Sequence, residues 1–98
     1  MEALALKTPY AEYNVDIRRK RYSNGRLALE LIDVEDGAPV MTATVNIPEA
    51  YLEKDETIIK NYSENEGVLE FLIENKIVSE PVRHISNGWV TCPVVKIL

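Results

Sequence analysis

The dipeptide Asn24-Gly25, set between two runs of alternating apolar and polar residues, constrains the fold of this chain more than any other feature. Both residue types tolerate the positive φ that a two-residue type I′ hairpin turn requires. Upstream, from about Glu12 to Ser23, Tyr13, Val15 and Ile17 alternate with Asn14, Asp16 and Arg18, the period of a half-buried strand. Downstream, Arg26 to Val34 forms the partner, with Leu27, Leu29 and Leu31 on one face and Ala28, Glu30 and Ile32 on the other. One face is expected to be buried and the other partly covered. Glu35-Asp36-Gly37-Ala38-Pro39 has the composition of a tight turn. Val40 to Ile47 then resumes the strand period, with Met41, Ala43, Val45 and Ile47 facing one way, until Pro48 stops it. A three-stranded antiparallel meander results.

After an acid-rich, irregular stretch from Glu49 to Glu56, Thr57 to Ile59 reads as a short β-branched strand. Ser63-Glu64-Asn65-Glu66 has the spacing of a capping box, in which the Ser63 hydroxyl takes the amide of Glu66. Val68, Leu69, Leu72 and Ile73 follow as an apolar stripe at helical spacing, with Glu64, Glu70 and Glu74 outside. Gly67 within that helix costs about 1 kcal/mol relative to alanine. The helix is expected to end near Asn75 or Lys76, before the break at Ser79-Glu80-Pro81. Val82 to Ile85, a turn at Ser86-Asn87-Gly88, and Trp89 to Ile97 form a second hairpin, in which Pro93 marks an edge position or a bulge. The expected fold is α+β: a mostly antiparallel sheet, built of the meander and the C-terminal hairpin, with one main helix packed on it. At 98 residues the chain holds one hydrophobic core, so residues 1–98 read as a single domain.

Charge is distributed unevenly. Residues 1–26 carry six bases against three acids, residues 27–80 carry 13 acids against three lysines, and the whole chain has a formal charge of −5. The acidic middle favours solubility, repels nucleic-acid phosphate and suits a basic partner surface. No apolar run approaches the roughly 20 residues that span a bilayer. Met1 to Pro9 has an acid at position 2 and no basic segment of a signal peptide. With a single cysteine, Cys92, no intrachain disulfide forms, and the chain reads as cytoplasmic, with no membrane association.

No constellation for catalysis, cofactor or metal binding stands out. His84 and Cys92 lie on the two arms of the C-terminal hairpin, but Cys92 sits among Val90, Pro93 and Val94 as a buried apolar residue would. Asp33, Glu35 and Asp36 crowd three carboxylates before Gly37, yet counting from Asp33 puts Ala38 and Thr44 where an EF-hand needs Gly and Glu. Glu53, Asp55 and Glu56 are similarly crowded, with no histidine beside them. Both acidic groups read as solvated loops, and both are candidate contacts for a basic partner. The opposite candidate is Arg18, Arg19, Lys20 and Arg21 with Arg26 across the turn. On a strand Arg19 and Arg21 project opposite to Arg18 and Lys20, and a two-stranded ribbon of this kind can grip phosphates.

Asn24-Gly25-Arg26-Leu27-Ala28-Leu29, Asp36-Gly37, Thr44-Val45-Asn46-Ile47-Pro48 and, most distinctively, Ile59 to Gly67 resemble a family of small uncharacterised proteins of bacterial phages, prophages and conjugative elements. The resemblance covers about residues 20–98 and carries no functional residue with it. A mobile-element origin implies a noncatalytic protein that binds a host or competitor macromolecule. The leading expectation is an anti-defence inhibitor of the anti-CRISPR kind, whose acidic surface occupies the basic groove of a nucleic-acid-binding effector through protein–protein contact. The alternative is a nucleic-acid or nucleotide-binding accessory protein that works through the basic hairpin.

Overall fold

The computed structural model describes residues 3–98, with the side chains of residues 64 and 87 outside that description. Two antiparallel four-stranded sheets and one short helix build an α+β fold dominated by strand. The first sheet runs in the order β1 (Leu4–Lys7), β2 (Glu12–Arg21), β3 (Leu27–Asp33), β4 (Pro39–Thr42). The second runs β5 (Thr44–Val45), β6 (Glu56–Ile59), β8 (Val90–Lys96), β7 (Arg83–Asn87), and α1 spans Val68–Glu74. The N-terminal apolar patch is therefore a strand in its own right, paired Leu4 to Val15 and Lys7 to Glu12.

The hairpin around Asn24 is present, with Val15 opposite Asp33 and Arg21 opposite Leu27. Its turn is not type I′. Gly25 N–H donates to the Tyr22 carbonyl at 2.9 Å, Tyr22 N–H donates to the Arg26 carbonyl at 2.8 Å, and of the dipeptide only Gly25 has positive φ, at 86°. This is a three-residue loop in which a turn is closed by one left-handed glycine. The Asn24 carboxamide oxygen is used instead to accept Arg26 N–H.

The run Val40 to Ile47 is two strands rather than one. At Ala43, fully buried, the chain leaves the first sheet for the second. Ala43 N–H donates to Leu29 of β3 at 2.8 Å, and its carbonyl accepts Lys60 N–H from the end of β6 at 2.8 Å. Leu6, Val15, Leu29 and Leu31 from the first sheet meet Ile59 and Val95 from the second and Val68, Phe71 and Leu72 from α1 in the main core. A second, smaller cluster of Ile58, Cys92 and Val94 lies on the other face of the second sheet, covered by Ile47, Ala50, Leu52 and Tyr62.

The helix starts later than the capping box predicts. Ser63–Asn65 is a separate 3-10 turn, Ser63 itself has φ 54°, and Gly67 is the N-cap of α1. Gly67 is present because its φ is 94°, a conformation that costs an L-residue about 1–2 kcal/mol. Glu66 N–H reaches the Ser63 carbonyl rather than its hydroxyl, and the cap acceptor is Asn61, whose side-chain oxygen takes Leu69 N–H at 3.1 Å. Glu70 and Glu74 face solvent as expected, whereas the expected exposure of Glu64 lies outside the described residues. The helix ends in a Schellman motif: Ile77 N–H donates to Leu72, Lys76 N–H donates to Ile73, and Lys76 takes the left-handed position at φ 58°.

The C-terminal hairpin turns on Gly88-Trp89, one residue later than its sequence suggests, with Asn87 opposite Val90. Gly88 alone of the pair has positive φ, the pattern of a type II′ turn. Pro93 is in an interior strand but escapes the usual penalty. It pairs with His84 of β7 on one side, and the ladder to β6 begins only at Val94.

Removing the Asn61 cap with Asn61→Ala is expected to destabilise the domain by about 1 kcal/mol, while Ser63→Ala leaves the denaturation midpoint close to that of the parent. The reverse ranking in urea titrations contradicts this capping scheme. Lys76→Gly, which relieves the left-handed residue of its Cβ, should raise stability by about 0.5–1 kcal/mol.

Candidate functional site

The two acidic segments do not converge. Asp33 ends β3 and Glu35 and Asp36 follow it, whereas Glu53–Glu56 lie beside Leu27 at its start, where the Thr57 hydroxyl donates to the Leu27 carbonyl. A seven-residue strand separates them by about 20 Å at roughly 3.4 Å per residue. Asp33 and Asp36 are also engaged in their own turn, their side-chain oxygens accepting Glu35 N–H at 2.8 Å and Ala38 N–H at 2.9 Å. Glu35 projects to solvent.

Glu56 does not present its carboxylate to a partner. It is 6% exposed, accepts Glu53 N–H at 2.9 Å and pairs with Arg83 at 2.8 Å. The Glu53 amide, with Arg83 beside it, holds its carboxyl below the ordinary carboxylate range although burial acts the other way. Glu53 and Asp55 remain exposed, and Glu53 accepts the Tyr51 hydroxyl at 3.0 Å, which pushes that phenol up.

The basic hairpin divides in the same way. Arg18, Arg19, Lys20 and Arg21 are exposed, with Lys20 bound to Glu30 across the ladder at 2.9 Å and Arg21 donating to the Gly25 carbonyl at 2.9 Å. Arg26 serves the fold instead, its guanidinium donating to the carbonyls of Ile47 and Ala50. Together with Arg83, which donates to the Tyr51 carbonyl at 2.6 Å, it ties the irregular segment 46–55 over the smaller core.

His84 is exposed and opposite Pro93, whereas Cys92 is opposite Ile85 and fully buried. Alternation sends the two side chains to opposite faces of the sheet, and burial pushes the Cys92 thiol up, away from its nucleophilic form. Among the described residues no three His, Cys, Asp or Glu side chains are grouped as metal ligands are, and no helix is long and apolar enough to cross a membrane.

A different acidic group takes shape at the end of the first sheet that β2 enters. Glu70 and Glu74 lie exposed one helical turn apart on α1, and Glu66, also exposed, precedes the left-handed N-cap Gly67. Glu70 and Glu74 border a cleft shared with Lys7 of β1, and Lys7 is 3.9 Å from Glu12. Glu35 and Asp36 lie at the same end, since Val34 N–H donates to the Asn14 carbonyl beside the start of β2. The spacing of Glu70 and Glu74 was legible in the sequence; their cleft with Lys7 of β1 depends on tertiary structure.

No family model matches the chain, no curated protein matches it in sequence, and no solved structure matches it in fold.

If the Glu56–Arg83 pair holds segment 46–55, Arg83→Met should lower stability by about 2 kcal/mol at pH 7 by leaving Glu56 uncompensated. The folded-state pKa of Glu56 is depressed, so its contribution is complete above the unfolded value of about 4.3 and is lost as pH falls through the lower folded value. The gap in melting temperature between the parent and Glu56→Gln should accordingly close on acidification, and a gap constant from about pH 7 to about pH 2.5 contradicts the assignment.

Proposed function

We propose that the chain is a noncatalytic binding protein of a phage or mobile element that acts in the cytoplasm through protein–protein contact. In this reading it is an anti-defence inhibitor of the anti-CRISPR kind, whose acidic end occupies a basic nucleic-acid groove. The mobile-element setting rests on the resemblance of Ile59 to Gly67 and its neighbours. The contact surface rests on Glu70 and Glu74.

The observation that carries the reading is Glu74. It stands in the last turn of α1, at the negative end of the helix dipole, and that turn contains no base. Such a placement costs a few tenths of a kcal/mol, so the carboxylate does not serve the helix. Glu70 and Glu74 are instead one helical turn apart on an exposed face, suited to lysines or arginines that otherwise hold phosphate, with exposed Glu12 and Glu35 at the end of the sheet where β2 starts. Glu56, Asp33, Asp36 and Arg26 are excluded from the contact set because the fold uses them.

A second reading, nucleic-acid binding by the ribbon, is favoured by one feature: Arg18 to Arg21 are four consecutive exposed bases on a ten-residue strand. Two charge-changed proteins separate the readings. Glu35→Gln with Glu70→Gln and Glu74→Gln should abolish capture of a basic effector and leave melting unchanged, and the parent's affinity should fall steeply with salt. Arg18→Gln with Arg19→Gln should leave that affinity intact. Tight binding of the parent to nucleic acid, lost with the arginines, refutes the inhibitor and establishes the ribbon.

A further inference from the structure

The outer edge of β7 is bare main chain among the described residues. β7 ends the second sheet and pairs only with β8. Its two-residue loop makes Asn87 and Val90 a hydrogen-bonded pair, so antiparallel alternation leaves His84 and Ser86 in non-bonded pairs. Their N–H and C=O groups are directed away from β8. Edges of this kind are usually blunted by lysine, proline or a bulge. β7 contains neither lysine nor proline, and its single arginine is turned onto Glu56 and the Tyr51 carbonyl. Two exposed apolar side chains flank the strand, Val82 at 46% and Trp89 at 105% exposure. A third, Tyr51 at 72%, has its main-chain carbonyl bonded to Arg83 and its hydroxyl to Glu53.

We propose that β7 pairs antiparallel with β7 of a second copy around a two-fold axis at Ile85, which joins two four-stranded sheets into one of eight. The register follows from parity. Centring on Ile85 sets His84 opposite Ser86 of the second copy, so the outward groups of both residues form four main-chain hydrogen bonds. The two-fold axis brings the turn that holds Trp89, just after β7, to the end of the seam where Val82 of the other copy precedes β7, so that each exposed indole comes near the exposed valine of the other copy. Position 83 falls opposite position 87 and His84 opposite Ser86, so no like charges oppose. The two indoles, two valines and the paired main chain bury about 1,000 Å², the low end of specific interfaces, which suits a dimer that dissociates at micromolar concentration.

Sedimentation of the full chain over roughly 1 μM to 1 mM tests this directly. The expected result is a monomer–dimer equilibrium in which emission of Trp89, the only tryptophan, moves to the blue as dimer forms. The His84 and Ser86 amides should become protected from exchange in step. Trp89→Ser should raise the dissociation constant about tenfold or more. His84→Lys with Ser86→Lys, both at exposed positions, opposes lysines across the axis and should leave only monomer without shifting its melting. A chain that stays monomeric to the highest concentration overturns the proposal, as does a dimer indifferent to both variants.

Discussion

The crossing at Ala43 is the constraint on which the rest of the molecule depends. One residue serves both sheets, its N–H bonded to Leu29 and its carbonyl to Lys60. A strand that continued straight would carry Thr44 and Val45 along the edge of the first sheet and leave β6 and β8 without a partner layer. Because the chain turns there, Leu29 and Leu31 can lie against Ile59 and Val95. Only a small side chain fits where main chain from both sheets comes together, and Ala43 is fully buried. The short β5 is then fixed by two residue pairs, and Thr44 lends its hydroxyl to Leu29 N–H and to the Tyr22 phenol.

From that crossing follows a division of labour among the charges. Bases and acids that look free in the sequence are drawn into the join between sheets and loop. Arg26 and Arg83 come from different ends of the chain and reach the same segment by donating to carbonyls rather than to acids alone. A guanidinium suits this work because several donors lie in one plane. Among the charges left to solvent, Arg18 to Arg21 crowd the β2 end nearest the turn at Asn24, with exposed Glu53 and Asp55 beside them, and Glu70 and Glu74 line α1 with Lys7.

Local signals in the sequence survive the folding and long-range ones do not announce themselves. Alternation in Tyr13–Ile17 and Leu27–Leu31 located β2 and β3, because a period of two reports a sheet face residue by residue. Turn geometry was harder, since both a two-residue and a three-residue loop accept Asn-Gly and the choice depends on ladder register. Met41, Ala43 and Val45 read as one strand because an apolar period is the same on either sheet, so no residue-level cue marks the switch. Ser63 matched a capping box in spacing, yet a left-handed Gly67 separates it from the helix, and Asn61 takes its place from eight residues before its donor. Glu56 and Arg83 stand 27 positions apart, beyond the reach of any local pattern.

The smaller core rests beneath a loop rather than a second layer of regular structure, and that asymmetry has a thermodynamic consequence. Segment 46–55 contributes Ile47, Ala50 and Leu52 as its cover and is secured by two guanidinium groups. Its detachment breaks few main-chain bonds, so it belongs to the low end of the spectrum of opening energies, below global unfolding. Cys92 lies directly underneath and is the only thiol in the chain. The protein thus contains its own chemical clock: the rate at which that sulfur meets a disulfide reagent in native solution records how often the cover lifts, independently of whether the two sheets have parted.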